Sequence, residues 1–279
     1  MRINMTMTSI LLTCVSAVVF TACGGSSSGG TPAPKWYQPT KDTTWQWQLQ
    51  PRDDEETVNI TYDVDLYDID LFNTPQSIID QLHKDGRKVI CYISAGTKEN
   101  NRPDSDDFPE EAIGNSLENW DEWWVDIRNE EIRDIMTARM DLAVEKNCDG
   151  IEPDNIDAYT NDPGFDFTAE DQLEYNTFLA DEAHKRGLSI GLKNDLNQIK
   201  QLVDSFDFVI NEQCYQYDEC DLLMPFIEAN KPVFNAEYDD KYHDEDKFEK
   251  LCKDARERGF QTLFLPNDLD DSFRFTCNP

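Results

Sequence analysis

The chain has 279 residues, 39% hydrophobic and 11% aromatic, enough apolar material for one large domain or two small ones with a real core. Its 57 acidic residues against 25 basic ones leave a formal net charge of −32. That balance excludes nucleic acid and anionic membrane surfaces, which bind through Lys and Arg, and favours either a polycationic partner or solubility in a salty medium.

At the N-terminus, Arg2 precedes the apolar run Ile10–Phe20 and then Thr21-Ala22-Cys23. A basic start, a short apolar stretch and small residues at the end make a targeting signal, and the run is too short to span a bilayer. The stretch "VFTACGGSSSGG" resembles a bacterial lipoprotein signal with Cys23 as the lipidated residue. Phe20 stands where that pattern has Leu, which leaves plain secretion with cleavage near Ala22 open. Residues 1–23 are therefore expected to be a signal, residues 24–40 a Gly/Ser/Thr/Pro-rich tether, and residues 41–279 one folded domain. The expectation is an exported monomer whose contact with the membrane is a lipid anchor at Cys23.

Export makes disulfides the first reading of the other cysteines. Cys214 and Cys220 lie close enough to close a small loop, and Cys252 and Cys277 could pin the C-terminal tail to the last helix. Cys91 and Cys148 sit in or beside apolar strands and read equally as a bridge or as buried thiols. No CxxC pair or His-rich spacing occurs, so neither metal nor other cofactor is expected. His83, His184 and His243 read as surface residues.

From residue 45 the chain alternates short strand-like runs with amphipathic helical ones. Strands are expected at Trp45–Leu49, Leu66–Leu71, Lys88–Ser94, Gly150–Pro153, Ser189–Leu192, Phe208–Asn211, Pro232–Glu237 and Thr262–Leu265. Helices are expected at Gln76–Lys84, Glu131–Lys146, Ala169–Arg186 and Lys247–Arg258. Several end in the same way, as in "KDGRKVICYIS", "KRGLSIGLK" and "ERGFQTLFLP": a basic last turn, then Gly, then a strand. Eight strands with helical crossovers in a chain of this size predict a single α/β (β/α)8 TIM barrel. The competing open sheet lacks its glycine-rich phosphate loop.

In such a barrel the reactive groups lie at the C-terminal strand ends. Those ends carry Trp47, Asp68, Asp70, Tyr92, Glu152, Asp154, Asn155, Lys193, Asn194, Asp195, Glu212, Glu237 and Tyr238. Two carboxylates across a pocket, with aromatic walls and no nucleotide motif, suit glycosidic bond cleavage, one as acid and the other as nucleophile or base. Trp45, Trp47, Tyr92, Tyr215 and Tyr217 are candidate sugar-stacking rings, whereas the Trp120–Trp124 cluster reads mainly as core. An Asp at a strand end also commonly caps the next helix, the other reading of Asp70 and Asp195.

The segments "WQWQL", "YDVDLYDIDLFN", "KVICYISAGTKENNRPD", "CDGIEPDNIDAY", "GLKND" and "FVINEQCYQYDEC" occur in that order. They resemble glycoside hydrolase family 114, the endo-α-1,4-polygalactosaminidases. The resemblance implies a (β/α)8 barrel that cuts α-1,4-linked galactosamine polymers, with Asp154 of "EPDN" and Glu212 of "NEQC" as its two catalytic carboxylates. Asp154 is expected as nucleophile and Glu212 as acid/base, the reverse being the alternative. It also implies a Cys214–Cys220 bridge just past Glu212. An acidic mouth would attract the ammonium groups of such a polymer, with Asp68, Asp70, Glu152, Asp195 and Glu237 as candidate partners. Lys193, the cation of the ring, either tunes a carboxylate, bonds a hydroxyl or pairs with Asp195. The rival class is a non-catalytic surface barrel that binds the same cationic polysaccharide.

Overall fold

Runs such as KVICYIS and FVINE are apolar on both faces, as strands are when a sheet is covered on both sides. The computed structural model describes residues 35–117 and 120–278. In chain order the elements are β1 (Trp45–Gln48), β2 (Leu66–Asp70), α1 (Gln76–Lys84), β3 (Lys88–Ser94), β4 (Thr97–Glu99), β5 (Ile113–Ser116), β6 (Glu122–Val125) and α2 (Glu130–Glu145). They continue as β7 (Gly150–Asp154), α3 (Ala169–Lys185), β8 (Ser189–Lys193), α4 (Ile199–Leu202), β9 (Phe208–Glu212), α5 (Cys214–Tyr217) and α6 (Met224–Glu228). Last come β10 (Val233–Glu237), α7 (Glu245–Arg258), β11 (Gln261–Phe264) and β12 (Phe275–Thr276).

The eight expected strands form one curled sheet in the order β1-β2-β3-β7-β8-β9-β10-β11, all parallel, so the chain is the TIM-type barrel its rhythm predicts. A ninth strand was not expected. β12 lies antiparallel on the free edge of β11. Arg274 then bridges the seam, donating from Nε to Gln46 Oε1 (2.6 Å) and from Nη2 to the Trp45 carbonyl (3.1 Å). The Cys252–Cys277 disulfide ties this segment to α7, and Cys214–Cys220 closes its short loop. Cys91 and Cys148, readable either way, are bridged across β3 and the turn into β7.

Side chains alternate across each strand. One set fills the barrel: Trp45, Trp47, Leu66, Ile90, Phe208, Ile210, Phe234, Ala236 and Leu263. The other set, including Tyr67, Ile69, Val89, Ile151, Val209 and Val233, packs outward against Ile79, Met136, Leu179 and Leu251 of the helices. Thr168 starts α3 with a reciprocal cap: its Oγ1 accepts from Asp171 N (3.1 Å) and Asp171 Oδ2 accepts from Thr168 N (2.8 Å). Gly259 closes α7 at φ +81°, a conformation that costs a residue without Cβ nothing.

Residues 97–125 leave the barrel after β3 and fold as an unexpected antiparallel sheet, β4-β6-β5. Trp124 is buried in it, but Trp120 is 50% exposed, so the core reading of that cluster fails for Trp120. His83 and His184 are not free surface groups either. They donate to Asp149 and Asp207, which also accept the backbone N–H of Val89 and Ile190 at the N-terminal strand ends. Trp36 stacks on His184 with centroids 3.9 Å apart and donates to Asp207, so the chain is docked on the barrel from Trp36, inside the segment expected as tether. The expected signal and Cys23 lie outside the described residues.

Candidate active site

The inward-facing alternation decides which polar strand-end residues meet. It brings Asp68, Tyr92, Glu152, Asp154, Lys193 and Glu212 to one end of the lumen, above Trp47. The chain then turns sharply through residues with positive φ: Asn155 (59°) after Asp154, Asn194 (48°) after Lys193 and Gln213 (62°) after Glu212. Such strain clusters where side chains are held for function. Gly96 packs directly on this turn, where a Cβ would lie 1.7 Å from the Asn155 carbonyl oxygen. The backbone N–H of Gly96 donates to the Asp154 carbonyl (3.1 Å), so glycine lets the two loops lie flush.

Lys193 is the hub. Its Nζ stands 2.9 Å from Asp154 Oδ1, 3.3 Å from Glu212 Oε2 and 3.5 Å from Glu152 Oε1, and 4.8 Å from the Trp47 ring centroid. Burial alone would lower its pKa. Asp154, Glu212 and Glu152 outweigh that and hold it well above the usual lysine range, so it is an ammonium.

Each of the two outer carboxylates has its own set of donors. Asp154 accepts from Lys193, from the Tyr92 hydroxyl (2.9 Å) and from Asn155 N (2.7 Å). Glu212 accepts from the Tyr238 hydroxyl (2.6 Å) and Asn194 Nδ2 (3.1 Å), while Asn194 Oδ1 accepts from Glu212 N (2.9 Å). Burial, then the charge of Asp154 or Glu212, pushes both tyrosines well up, so both stay phenols and donate.

Beneath them, Asp68 and Glu152 are fully buried. Trp47 Nε1 donates to Glu152 Oε2 (3.0 Å). Among the described residues neither Asp68 oxygen has a conventional donor within reach, and a proton shared with Glu152 is the bond open to it. Burial, followed by mutual charge for Asp68 and by nearby carboxylates for Glu152, raises both pKa values, so the pair holds a proton at neutral pH.

Asp68 and Glu152, expected to pair with substrate amines, are closed off from substrate and bond each other instead, because both are fully buried. Four more expected contacts fall elsewhere, and Trp47 changes its task. Asp70 is bound by Arg102 (3.0 and 2.6 Å) and accepts the N–H groups of Phe72 and Asn73, a structural position. Asp195 is 3% exposed and accepts from Tyr159 OH (3.1 Å) and Asn176 Nδ2 (2.9 Å), with its pKa pushed by burial to about 8. Tyr215 reaches outward to Asp254 on α7 (3.1 Å). Glu237 has the wrong parity. It faces away from the lumen and accepts from Tyr215 N (3.0 Å), and the next residue, Tyr238, is the one that meets Glu212. Trp47 lies in the mouth's floor at 1% exposure, so it supports Glu152 and Lys193 and offers no stacking face.

Tyr238, Asn155 and Asn194 stood among the strand-end residues without a role. Counting alternation from Phe234 and Ala236 identifies Tyr238. Glu122, which accepts from Asn155 Nδ2 (3.4 Å), comes from the inserted sheet, and no strand-end rule finds it.

A model of glycoside-hydrolase family GH114 matches residues 26–279. The crystal structure of Aspergillus fumigatus Ega3 in complex with galactosamine is 38% identical, with a TM-score of 0.80 over 86% of this chain and 97% of that one. The glycoside hydrolase domain of PelA from Pseudomonas aeruginosa shares the fold at 14% identity, with a TM-score of 0.63 over 82% of this chain and 96% of its own. So does Eubacterium rectale Amy13B at 10% identity, with a TM-score of 0.54 over 82% of this chain and 67% of its own. No curated protein sequence matches. With its family match and barrel together, this chain is a glycoside hydrolase and belongs to family GH114.

Proposed function

We propose that the chain cleaves internal α-1,4 bonds of a galactosamine-rich polysaccharide, with Asp154 as nucleophile and Glu212 as acid/base. The observation that carries this is the shared ammonium. Because Asp154 Oδ1 and Glu212 Oε2 lie 2.9 and 3.3 Å from one Lys193 Nζ, those oxygens are at most roughly 6 Å apart. That closeness lets both carboxyl groups flank one glycosidic bond, as cleavage with Asp154 as nucleophile and Glu212 as acid/base requires.

In this scheme Asp154 attacks the anomeric carbon while Glu212 protonates the departing oxygen. Asp154 loses its charge on forming the glycosyl ester just as Glu212 gains one. Lys193 faces both, so it keeps an anionic partner throughout. Glu212 then takes a proton from the water that releases the sugar. The galactosamine seen with Ega3 supports an aminosugar substrate, and the net charge of −32 suits its ammonium groups. Three disulfides and the signal-like N-terminus support export, and the lipoprotein-like stretch at Cys23 supports a lipid anchor. The proposed working form is a monomer.

Incubation of the purified chain with partly deacetylated α-1,4-galactosamine polymer should yield a ladder of oligomers by mass spectrometry, whose new ends keep the α configuration by NMR. Asp154→Asn and Glu212→Gln should each lower turnover at least about 10³-fold with unchanged circular dichroism. Tight binding without cleavage by the unsubstituted chain would instead mark a polysaccharide-binding barrel.

A further inference from the structure

Asp68 of β2 and Glu152 of β7 form a pair for which the proposed mechanism has no task. Both are fully buried in the barrel, away from any sugar. Carboxyl groups are costly to bury, and apolar residues of similar volume often fill such places with no loss of stability. The pair therefore needs a reason beyond packing.

That reason lies in what Glu152 faces. Its Oε2 is fixed by Trp47 Nε1 (3.0 Å), and its Oε1 stands 3.5 Å from Lys193 Nζ with no hydrogen-bond partner among the described residues. The same Nζ stands 3.3 Å from Glu212 Oε2. An ammonium that close to a carboxyl group favours its ionised form. Glu212, however, must carry a proton at the moment the glycosidic oxygen departs. Lys193 acting alone would draw that proton off. A negative charge on Glu152 opposes this, and its burial keeps salt and water from screening it. With one proton shared between two carboxyls, the pair carries one such charge. Burial is the largest cause raising both groups, Glu152 to about 8, which keeps the shared proton in place through neutral pH. The other titratable groups around the pair are Asp154 on the same strand as Glu152, Lys193, Glu212, Tyr92 and Tyr238, and Lys193 is the cation among them.

We propose that Asp68 and Glu152 are positioning residues for the acid step: their one buried charge offsets Lys193, so that Glu212 keeps its proton to higher pH than it would beside Lys193 alone. This inference rests on the reading of Glu212 as acid/base.

The test is the pH profile of kcat/KM on soluble, partly deacetylated α-1,4-galactosamine polymer, whose own titration is common to every variant. Asp68→Asn replaces the shared proton by an amide hydrogen and leaves the charge on Glu152. Asp68→Asn combined with Glu152→Gln keeps both shapes and removes the charge. The alkaline limb is where the acid loses its proton. It should stay within about 0.3 pH unit of the parent's in Asp68→Asn, whatever the absolute rate, and move about one unit lower in the double variant. Glu152→Gln alone leaves its carboxylate on Asp68, which makes no ion pair with Lys193 among the described residues. It should shift the limb by an intermediate amount, and it carries the test should the double variant misfold. A limb that stays put in the Glu152 variants, or rates that fall equally at every pH as a packing role would give, overturns the proposal and leaves the hydrolytic reading intact. Absence of cleavage by the unsubstituted chain would overturn both.

Discussion

Replacing Lys193 by Met tests how the barrel mouth is held together. Met keeps most of the side-chain length and removes the charge. Lys193 is 3% exposed and faces Asp154, Glu212 and Glu152 at 2.9, 3.3 and 3.5 Å. Removing one partner of a buried ion cluster leaves its counter-charges uncompensated, at a cost of about 3–5 kcal/mol. A buried carboxylate left without its counter-charge is relieved only by binding a proton, and such a group holds that proton to higher pH in the fold than in the unfolded chain. Stability held by such a group is fully present below its unfolded pKa, about 4, and is lost as pH rises through the folded value. The deficit of Lys193→Met relative to the parent should therefore be small at pH 5 and approach its full size at pH 8. Urea unfolding followed by tryptophan fluorescence at both values measures it. A deficit below about 1 kcal/mol at pH 8, or one that does not change with pH, would refute the hub role of Lys193.

Two further predictions concern parity and titration. Tyr238→Phe removes the 2.6 Å donor from Glu212 and should cut kcat about tenfold, whereas Glu237→Gln, on the outward face, should leave kcat within about twofold. The reverse ranking in steady-state kinetics would show that the strand register had been misread. For the parent, burial raises Asp195 and Glu152 to about 8, and Glu237 and Glu122 to about 7. These groups hold protons in the fold that the unfolded chain has released, so stability should fall as pH rises from about 5 to 9. A urea midpoint that is flat or rising over that range would contradict those assignments.

Much of this architecture could be read along the chain. All eight barrel strands lie within a residue or two of their expected bounds, because a strand buried on both faces needs an unbroken apolar run and a helix returning to it needs a stop such as the Gly259 turn. The antiparallel sheet of residues 97–125 escaped notice. Its strands are three or four residues long, carry charge and pair only with one another. β12, two residues long, is defined by the barrel edge it covers. Glu122 was hidden for the same reason: nothing local to "ENWDEWW" says that it lands on Asn155.

The order of residues along the strands determined the barrel and set Asp154 and Glu212 at its mouth, since backbone alternation and short loops act over a few neighbours. Only the tertiary structure decided which other polar groups joined them. Asp70 and Asp195 sit at strand ends as Asp68 does, yet their oxygens are taken by Arg102 in the one case and by Tyr159 and Asn176 in the other. Partners so distant in sequence are chosen by packing, and a buried carboxylate goes to whichever donor the fold brings within reach.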